Sequence, residues 1–380
     1  MAANRSLLLI AYRVIMERTW TALYPTFNRK IRLFGRMMAR VLVTGATGFI
    51  GKRLVTKLCE RGVQVDCIVR NVERSREQLP AATNLIHGDL SRRDVLRRAT
   101  RRVEAVFHLA GTTKAPSAEK FHEANVAGVS NIADACAESS SQPVLIHVSS
   151  LAAVHPTKDQ RNSQPAPAPP REDARCRPVS MYGHSKLAGE QRLMDIAVRQ
   201  PVSIVRPPVV FGCGDRDGLE WFRSIGRFGV HLVPGFSHRF HSMVYADDLC
   251  DGLILCWKRG VRMNAASPHD GTGVYFVSSP EITRYDQWGE MIAESLGRTW
   301  CRKIRVPDRM IHWMGKINGM LNRFRRSPHI LSPDKAAEAT AGSWICCGEK
   351  ARSELGFRVG ASLQERLHET VRWYRDQRWL

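Results

Sequence analysis

Val41-Leu42-Val43-Thr44-Gly45-Ala46-Thr47-Gly48-Phe49-Ile50-Gly51 runs from an apolar, β-branched stretch straight into three glycines spaced three apart. Nothing else in the chain limits the fold as much, because a buried strand must end, turn tightly and enter a helix within a few residues. The first glycine permits the turn, the second lets backbone approach a pyrophosphate, and the third lets helix pack on strand, leaving the helix N-terminus open to phosphate. Turns use glycine for ordinary reasons too, so the trio counts because of the strand before it and the helix after it. Gly45, Thr47, Gly48, Phe49 and Ile50 are therefore expected to hold a dinucleotide.

From Ala39 onward, short β-branched runs alternate with helical stretches. Strands are predicted at 40–43, 64–69, 84–87, 105–108, 144–148 and 202–205, with helices over 49–61 and 121–138 and another carrying Tyr182 and Lys186. This repetition predicts an α/β protein with a Rossmann-type, doubly wound parallel sheet covered on both faces. Beyond Pro207 the rhythm is less regular, with helices suggested near 219–228, 246–257, 285–296, 308–321 and 363–374. The chain thus divides into a basic arm (1–38), a dinucleotide-binding domain with the catalytic helix (39–210) and a smaller, mixed, mostly substrate-binding domain (211–380). Residues 156–178, rich in proline, polar residues and arginine, are expected to form a surface loop, either a lid or a loose insertion.

The first 39 residues hold seven basic residues against Glu17 alone. A membrane-associating segment, a targeting arm and a translated leader ahead of a start at Met37 or Met38 all fit that composition. The apolar run from Leu7 to Tyr12 falls far short of the ~20 residues of a membrane span, so no transmembrane segment is expected. The net charge is +21, of which the arm supplies +6, leaving +15. A positive field attracts any phosphate, a dinucleotide included; without a zinc-finger, helix-turn-helix or RNA-recognition pattern, no nucleic-acid partner is expected. The ten cysteines include no Cys-x-x-Cys pair and sit mostly in apolar runs, so buried thiols in a reducing, cytoplasmic setting fit better than a metal site. A small-molecule substrate is the expected partner, with a homodimer left open.

An acid at the tip of the second strand bonds a ribose 2′-hydroxyl, whereas an arginine accepts a 2′-phosphate. Here the strand ends Ile68-Val69-Arg70, which favours NADP over NAD, with Arg74 and Arg76 in reserve and Asp66 too far back to serve. Asp89, in Gly88-Asp89-Leu90 after the third strand, either accepts from the adenine amino group or caps a helix. Tyr182-Gly183-His184-Ser185-Lys186 puts a phenol and an ammonium four residues apart on one helix face. A free phenol, with a pKa of about 10, exchanges protons poorly at neutral pH, and a nearby ammonium favours its ionised form. Such pairs also occur on ordinary surface helices. Weight comes from Val148-Ser149-Ser150 at the carboxyl end of a sheet strand, where a hydroxyl faces the ligand crevice. Ser150 is the expected partner of Tyr182 and Lys186, with Ser149 as runner-up.

Taken in order, these segments, together with His108-Leu109-Ala110-Gly111, Asn125 with Gly128, and Arg206-Pro207-Pro208-Val209-Val210-Phe211-Gly212, resemble the extended short-chain dehydrogenase/reductase family, in its NAD-dependent epimerase/dehydratase type. The resemblance runs from Ala39 to Leu380. Through Ser149-Ser150-Leu151-Ala152-Ala153-Val154 and Val179-Ser180-Met181-Tyr182, it is greatest to dihydroflavonol 4-reductase-like and 3β-hydroxysteroid dehydrogenase-like members. It implies hydride transfer between NAD(P) and a carbon bearing a hydroxyl or carbonyl. Ser150 would orient the oxygen, Tyr182 would act as acid/base, and Lys186 would bind the nicotinamide ribose and lower the tyrosine's pKa. Leu90, Ala110 and Pro207 would line the cofactor, and Asn125 would help order the region.

Leu151 and Ala152 stand where sugar-nucleotide dehydratases carry an acid pair, which disfavours dehydration. His241 stands where sugar epimerases place an arginine on the diphosphate, with Arg239 two positions off, a second departure from the sugar-nucleotide branches; nucleotide-sugar epimerisation is nonetheless the main enzymatic alternative. A catalytically idle member serving as a cofactor-binding assembly subunit is the other, against which the intact Ser150, Tyr182 and Lys186 argue. The substrate is expected to be bulky and apolar.

Overall fold

Val41, Leu42 and Val43 are fully buried, and the strand they form, β1 (Arg40–Thr44), lies inside the main sheet. The computed structural model describes residues 38–158, 166–267, 269–321 and 332–380. The arm up to residue 37, with the three readings given for it, lies outside the described residues. After β1 come α1 (Phe49–Glu60), β2 (Gln64–Val69), α2 (Val72–Arg76), β3 (Asn84–His87), α3 (Arg93–Thr100), β4 (Ala105–His108), α4 (Ala118–His122), α5 (Gly128–Ala137), β5 (Val144–Val148), α6 (Met181–Ile196) and β6 (Val202–Val205). The rest comprises β7 (Val209–Phe211), α7 (Leu219–Phe228), β8 (Val230–Pro234), β9 (Phe240–Tyr245), α8 (Ala246–Arg259), β10 (Val274–Tyr275), β11 (Ile282–Arg284), α9 (Tyr285–Ser295), β12 (Arg302–Val306), α10 (Asp308–Leu321), α11 (Pro333–Thr340), α12 (Glu349–Glu354) and α13 (Leu363–Asp376).

Seven parallel strands form the main sheet in the order β10-β6-β5-β4-β1-β2-β3. Its inner strands read as unbroken apolar runs, as strands covered on both faces must. β4 and β6 are buried along their whole length. The order reverses between β1 and β4, and ligands of such sheets bind outside the carboxyl ends at that point. One core, including Leu42, Val106, Ile132, Leu145, Leu193 and Ile204, fills the face under α3, α5 and α6. A second, around Phe211, Phe222, Trp288 and Tyr374, lies where β7 and β9 meet α7, α9 and α13. The two smaller sheets are β11-β9-β7 and β12-β8.

Three features depart from the sequence reading. Chain beyond residue 211 supplies the edge strand β10 and, in α8, Trp257, whose ring meets Phe107 of β4 edge-on, so the main sheet draws on both halves. The single helix expected at 121–138 is interrupted: Glu123–Ala127 forms one π-helical turn between α4 and α5. The wider turn carries Asn125 inward, where it is buried and bonded on three sides. The 156–178 stretch, in its described part, is stitched into the body rather than loose. Glu172 is buried and accepts from Phe276 N, Cys347 N donates to Pro170 O, and Arg177 N donates to Val154 O.

Candidate active site

At the end of β1 the chain reverses through Gly45 with φ +72°, a left-handed conformation. A Cβ there would lie 2.6 Å from Ala110 N, so the turn closes directly on the chain leaving β4. Gly48 N donates to Gly45 O at 3.0 Å. As N-cap of α1, Gly48 brings no side-chain acceptor, and the first turn of the helix holds no acid. The leading N–H groups of α1 thus keep their pull on an anion. A Cβ on Gly51 would sit 2.1 Å from Gly45 O, so only glycine lets the helix lie this close. Thr47 and Gly48 are exposed at the mouth, with Phe49 and Ile50 half-buried behind them. These residues fit the pyrophosphate of a dinucleotide.

The next groups flank that turn unequally. Arg70, just past β2, is exposed. Arg74 and Arg216 both act on Lys52 of α1, whose ammonium is pulled below its ordinary value by burial and then by these two cations. Arg76 donates to Thr83 O at 3.2 Å. Asp66 faces the far end of the strands, 3.7 Å from Arg40 and accepting from Asn84 Nδ2. Asp89 is exposed and accepts from the Ser91 hydroxyl and Ser91 N, bonds that hold its carboxyl below the usual range. It thereby organises the turn before α3. Leu90 is half-buried beneath Gly128, where a Cβ would come within 2.7 Å of its Cδ1.

Ser150 and Tyr182 come together. The Ser150 hydroxyl follows β5, accepts from Ala152 N at 3.1 Å and lies close enough to the Tyr182 phenol to lower its pKa. Ser149, on the alternate face, has a buried hydroxyl with no partner among the described residues. Burial raises the Tyr182 pKa, the Lys335 ammonium and the Ser150 hydroxyl lower it, and Glu338 adds to the rise. Lys186 is buried, donates from Nζ to Val148 O at 2.7 Å, and has its pKa pulled down to about 8 by burial.

Around this pair, Asn125 Nδ2 donates to Ser185 Oγ at 2.9 Å and to Thr112 O at 3.0 Å, and Oδ1 accepts from Thr112 N. The fully buried Arg206–Glu190 ion pair, 2.6 Å, ties α6 to the end of β6. Pro207 O accepts from Leu151 N beside Ser150. On the same sheet, His108 and His147 stack with centroids 5.4 Å apart. Burial, with Lys186 adding to it, keeps both imidazoles uncharged. His108 bonds Thr44 Oγ1 at 2.7 Å, whereas neither nitrogen of His147 has a partner among the described residues.

Sequence reasoning missed the wall opposite. α11 lies across the start of the catalytic helix: Asp334 accepts from Met181 N at 2.5 Å and Tyr182 N at 3.3 Å, and Glu338 accepts from Ser180 Oγ at 2.7 Å. Between them, Lys335 holds its Nζ 4.9 Å from the centre of the Tyr182 ring and 2.6 Å from Glu338. Burial works against that ammonium, but Glu338 first, then Tyr182 and Asp334, raise its pKa above the ordinary value. Phe121 closes the other side of the ring, 6.1 Å away. The available local signal was Ser332-Pro333-Asp334, a helix start with its cap and proline.

Fold and site together define a nucleotide-cofactor enzyme of the extended short-chain class. The profile of the NAD dependent epimerase/dehydratase family matches residues 41–265, and the chain belongs to that family. A ceramide reductase of Caulobacter vibrioides is 27% identical over 90% of this chain and 96% of its own length. A 3β-hydroxysteroid dehydrogenase/Δ5→4-isomerase of Mycobacterium tuberculosis is 24% identical over 89% of this chain and 90% of its own. Among solved structures, the UDP-glucose 4-epimerase of Thermotoga maritima superposes with a TM-score of 0.68 at 21% identity, covering 89% of this chain and 99% of that one.

Proposed function

We propose that the chain is an NAD(P)-dependent reductase or dehydrogenase that moves a hydride between the nicotinamide and a hydroxyl- or carbonyl-bearing carbon of a bulky, apolar substrate. The observation that carries this reading is the Ser150 hydroxyl set beside the Tyr182 phenol at the carboxyl edge of a parallel sheet whose first turn fits pyrophosphate. The cofactor, when bound, supplies or accepts the hydride. Gly45, Thr47, Gly48, Phe49 and Ile50 would hold its phosphates, Asp89, Leu90 and Ala110 its adenosine side, and Lys186 and Pro207 its nicotinamide side. Exposed Arg70, with Arg74 four residues on and acting on Lys52, supports NADP as the preferred form.

In reduction, Ser150 donates to the substrate oxygen while Tyr182 gives that oxygen its proton; in oxidation the phenolate takes it back. Burial keeps the phenol protonated, and Lys335 and Ser150 keep the reverse step within reach. Two observations favour this over nucleotide-sugar epimerisation. Arg239 is engaged by Asp308 at 2.8 Å and by the Ala339 and Thr340 carbonyls. His241 lies against the Tyr285 ring with its pKa pushed down to about 4 by burial, so it is uncharged at neutral pH. The relatives named as a ceramide reductase and a hydroxysteroid dehydrogenase agree with an apolar substrate. All ten cysteines are unpaired, which supports a reducing, cytoplasmic setting.

The test is a screen of purified protein against ketones, sterols, long-chain keto lipids and UDP-sugars, following NADPH and NADH absorbance. Turnover of an apolar ketone or alcohol is expected, preferentially with NADP(H), falling about 10²- to 10⁴-fold in Tyr182→Phe. Interconversion of a UDP-sugar with no net absorbance change would replace this reading with the epimerase.

A further inference from the structure

The C-terminal half carries an apolar and basic surface that the chemistry above does not use. Leu232 of β8 stands opposite Ile304 of β12 in register, and both point away from the body, Leu232 being 52% exposed, while His231 and Val233 between and beside them are buried. Phe236, in the turn after β8, is 71% exposed, and Trp300, just before β12, is also exposed. That turn is pinned to β12, since Gly235 N donates to Val306 O and Arg305 donates to Gly235 O. The helix that follows β12, α10, turns Ile311 and Gly315 inward and Met310 and Trp313 outward, Trp313 being 63% exposed.

Scattered surface leucines need no explanation, but six large apolar side chains gathered on neighbouring elements do. The charge around them is one-sided. From Trp300 to Lys316 the chain holds five basic residues and one acid. Exposed Arg302, Arg309 and Lys316 have no acidic partner among the described residues. The acids nearby are already taken: Asp308 by Arg239, Glu290 by Lys303 and Asp286 by Arg284. Nucleic acid would use the cations but has nothing to offer Leu232, Ile304 or Met310. A second copy of this chain would set like charges against each other. An anionic bilayer satisfies both halves of the surface: aliphatic side chains reach the acyl boundary, tryptophans favour the interface, and arginine and lysine extend to lipid phosphates.

We propose that this face, formed by β8, β12 and the outer side of α10, docks on an anionic lipid bilayer. α10 packs on α11 through Gly315, where a Cβ would lie 2.9 Å from Ala336 Cβ. α11 in turn caps the helix of Tyr182, so the docked face is separated from the catalytic phenol by one helix. The evidence for docking is the surface itself; only its purpose, delivery of an apolar substrate, rests on the reductase reading.

The test is sedimentation of the full chain with vesicles of phosphatidylcholine alone or mixed with phosphatidylglycerol. Wild type is expected to sediment with the mixed vesicles, to bind phosphatidylcholine about tenfold or more less tightly, and to be released by salt. Leu232→Glu/Trp313→Glu and, separately, Arg309→Glu/Lys316→Glu are each expected to lower binding about tenfold or more, with melting temperature unchanged because all four side chains are exposed. Binding that neither variant weakens, as would follow if residues 1–37 carried it, overturns the proposal. So does the absence of vesicle binding by wild type, whether or not the variants abolish self-association or binding to a DNA duplex. Vesicle binding without any dinucleotide-linked turnover would sink the reductase reading and leave the docking face standing.

Discussion

The two walls of the crevice are made from different material. On the dinucleotide side, the working parts are backbone: a left-handed Gly45, the uncapped start of α1, and a helix seated within a Cβ's width of the turn. All of it lies within eleven consecutive residues. On the opposite side the parts are side chains from α11, Asp334, Lys335 and Glu338, reaching a helix about 150 positions earlier in the chain. The first wall suits a ligand portion common to many enzymes. The second acts on the Tyr182 phenol, through one cation at its ring, and is free to differ between relatives without disturbing the first.

The contrast breaks most sharply at Gly51. Gly51→Ala forces a Cβ to 2.1 Å from Gly45 O, and we expect loss of measurable dinucleotide binding by calorimetry together with destabilisation of about 1–3 kcal/mol in denaturant. Unchanged affinity would mean that the turn has slack and the first wall is not a backbone device. Lys335→Met probes the second wall. Removing this cation raises the Tyr182 pKa, so the limb of the pH–kcat/KM profile for oxidation should move about one unit to higher pH, roughly a tenfold loss at neutral pH.

The groups acting on that phenol are Lys335, Ser150 and Glu338, with Asp334 on the backbone N–H of Tyr182 and Lys186 on the same helix. Lys335→Arg should restore most of the profile. A fall in kcat/KM with no change in the shape of the profile would reduce α11 to a mere cover.

The smallest effect is expected beneath the first wall, at His147. Its pKa lies well below the ordinary 6.5 because of burial, so the unfolded chain takes up a proton that the folded chain refuses, and stability falls as pH drops below 6.5. His147→Phe removes that loss. Its melting temperature should match or exceed wild type at pH 7, and its stability advantage should grow by about 1.4 kcal/mol per pH unit on acidification below 6.5. A constant difference across that range would show that the imidazole is protonated in the fold after all.

Much of this was legible before any coordinates. The strands predicted at 64–69, 84–87, 105–108, 144–148 and 202–205 coincide with β2 to β6; the inner ones are short apolar runs because they are buried on both faces, and such runs are visible locally. The meeting of Ser150 with Tyr182 followed from a strand end and a helix placed on the same edge of a parallel sheet. The π-helical turn at Glu123–Ala127 was not legible, since its helical periodicity continues on both sides and the extra residue is justified only by Asn125 bonding Thr112 and Ser185. Nor was the anchoring of 156–178, because Pro170, Glu172 and Arg177 find their partners in distant backbone.

Order along the chain determined the α/β class, the parallel sheet and the glycine turn that ends its first strand. These depend on interactions between residues close in sequence or on a topology that repeats. Tertiary structure alone decided which cation stands at the phenol, that Arg239 is engaged elsewhere, and that Leu232, Ile304 and Trp313 are left exposed. Those outcomes depend on distances between segments remote in sequence, where each side chain's partner is chosen by packing and carries no local pattern to read.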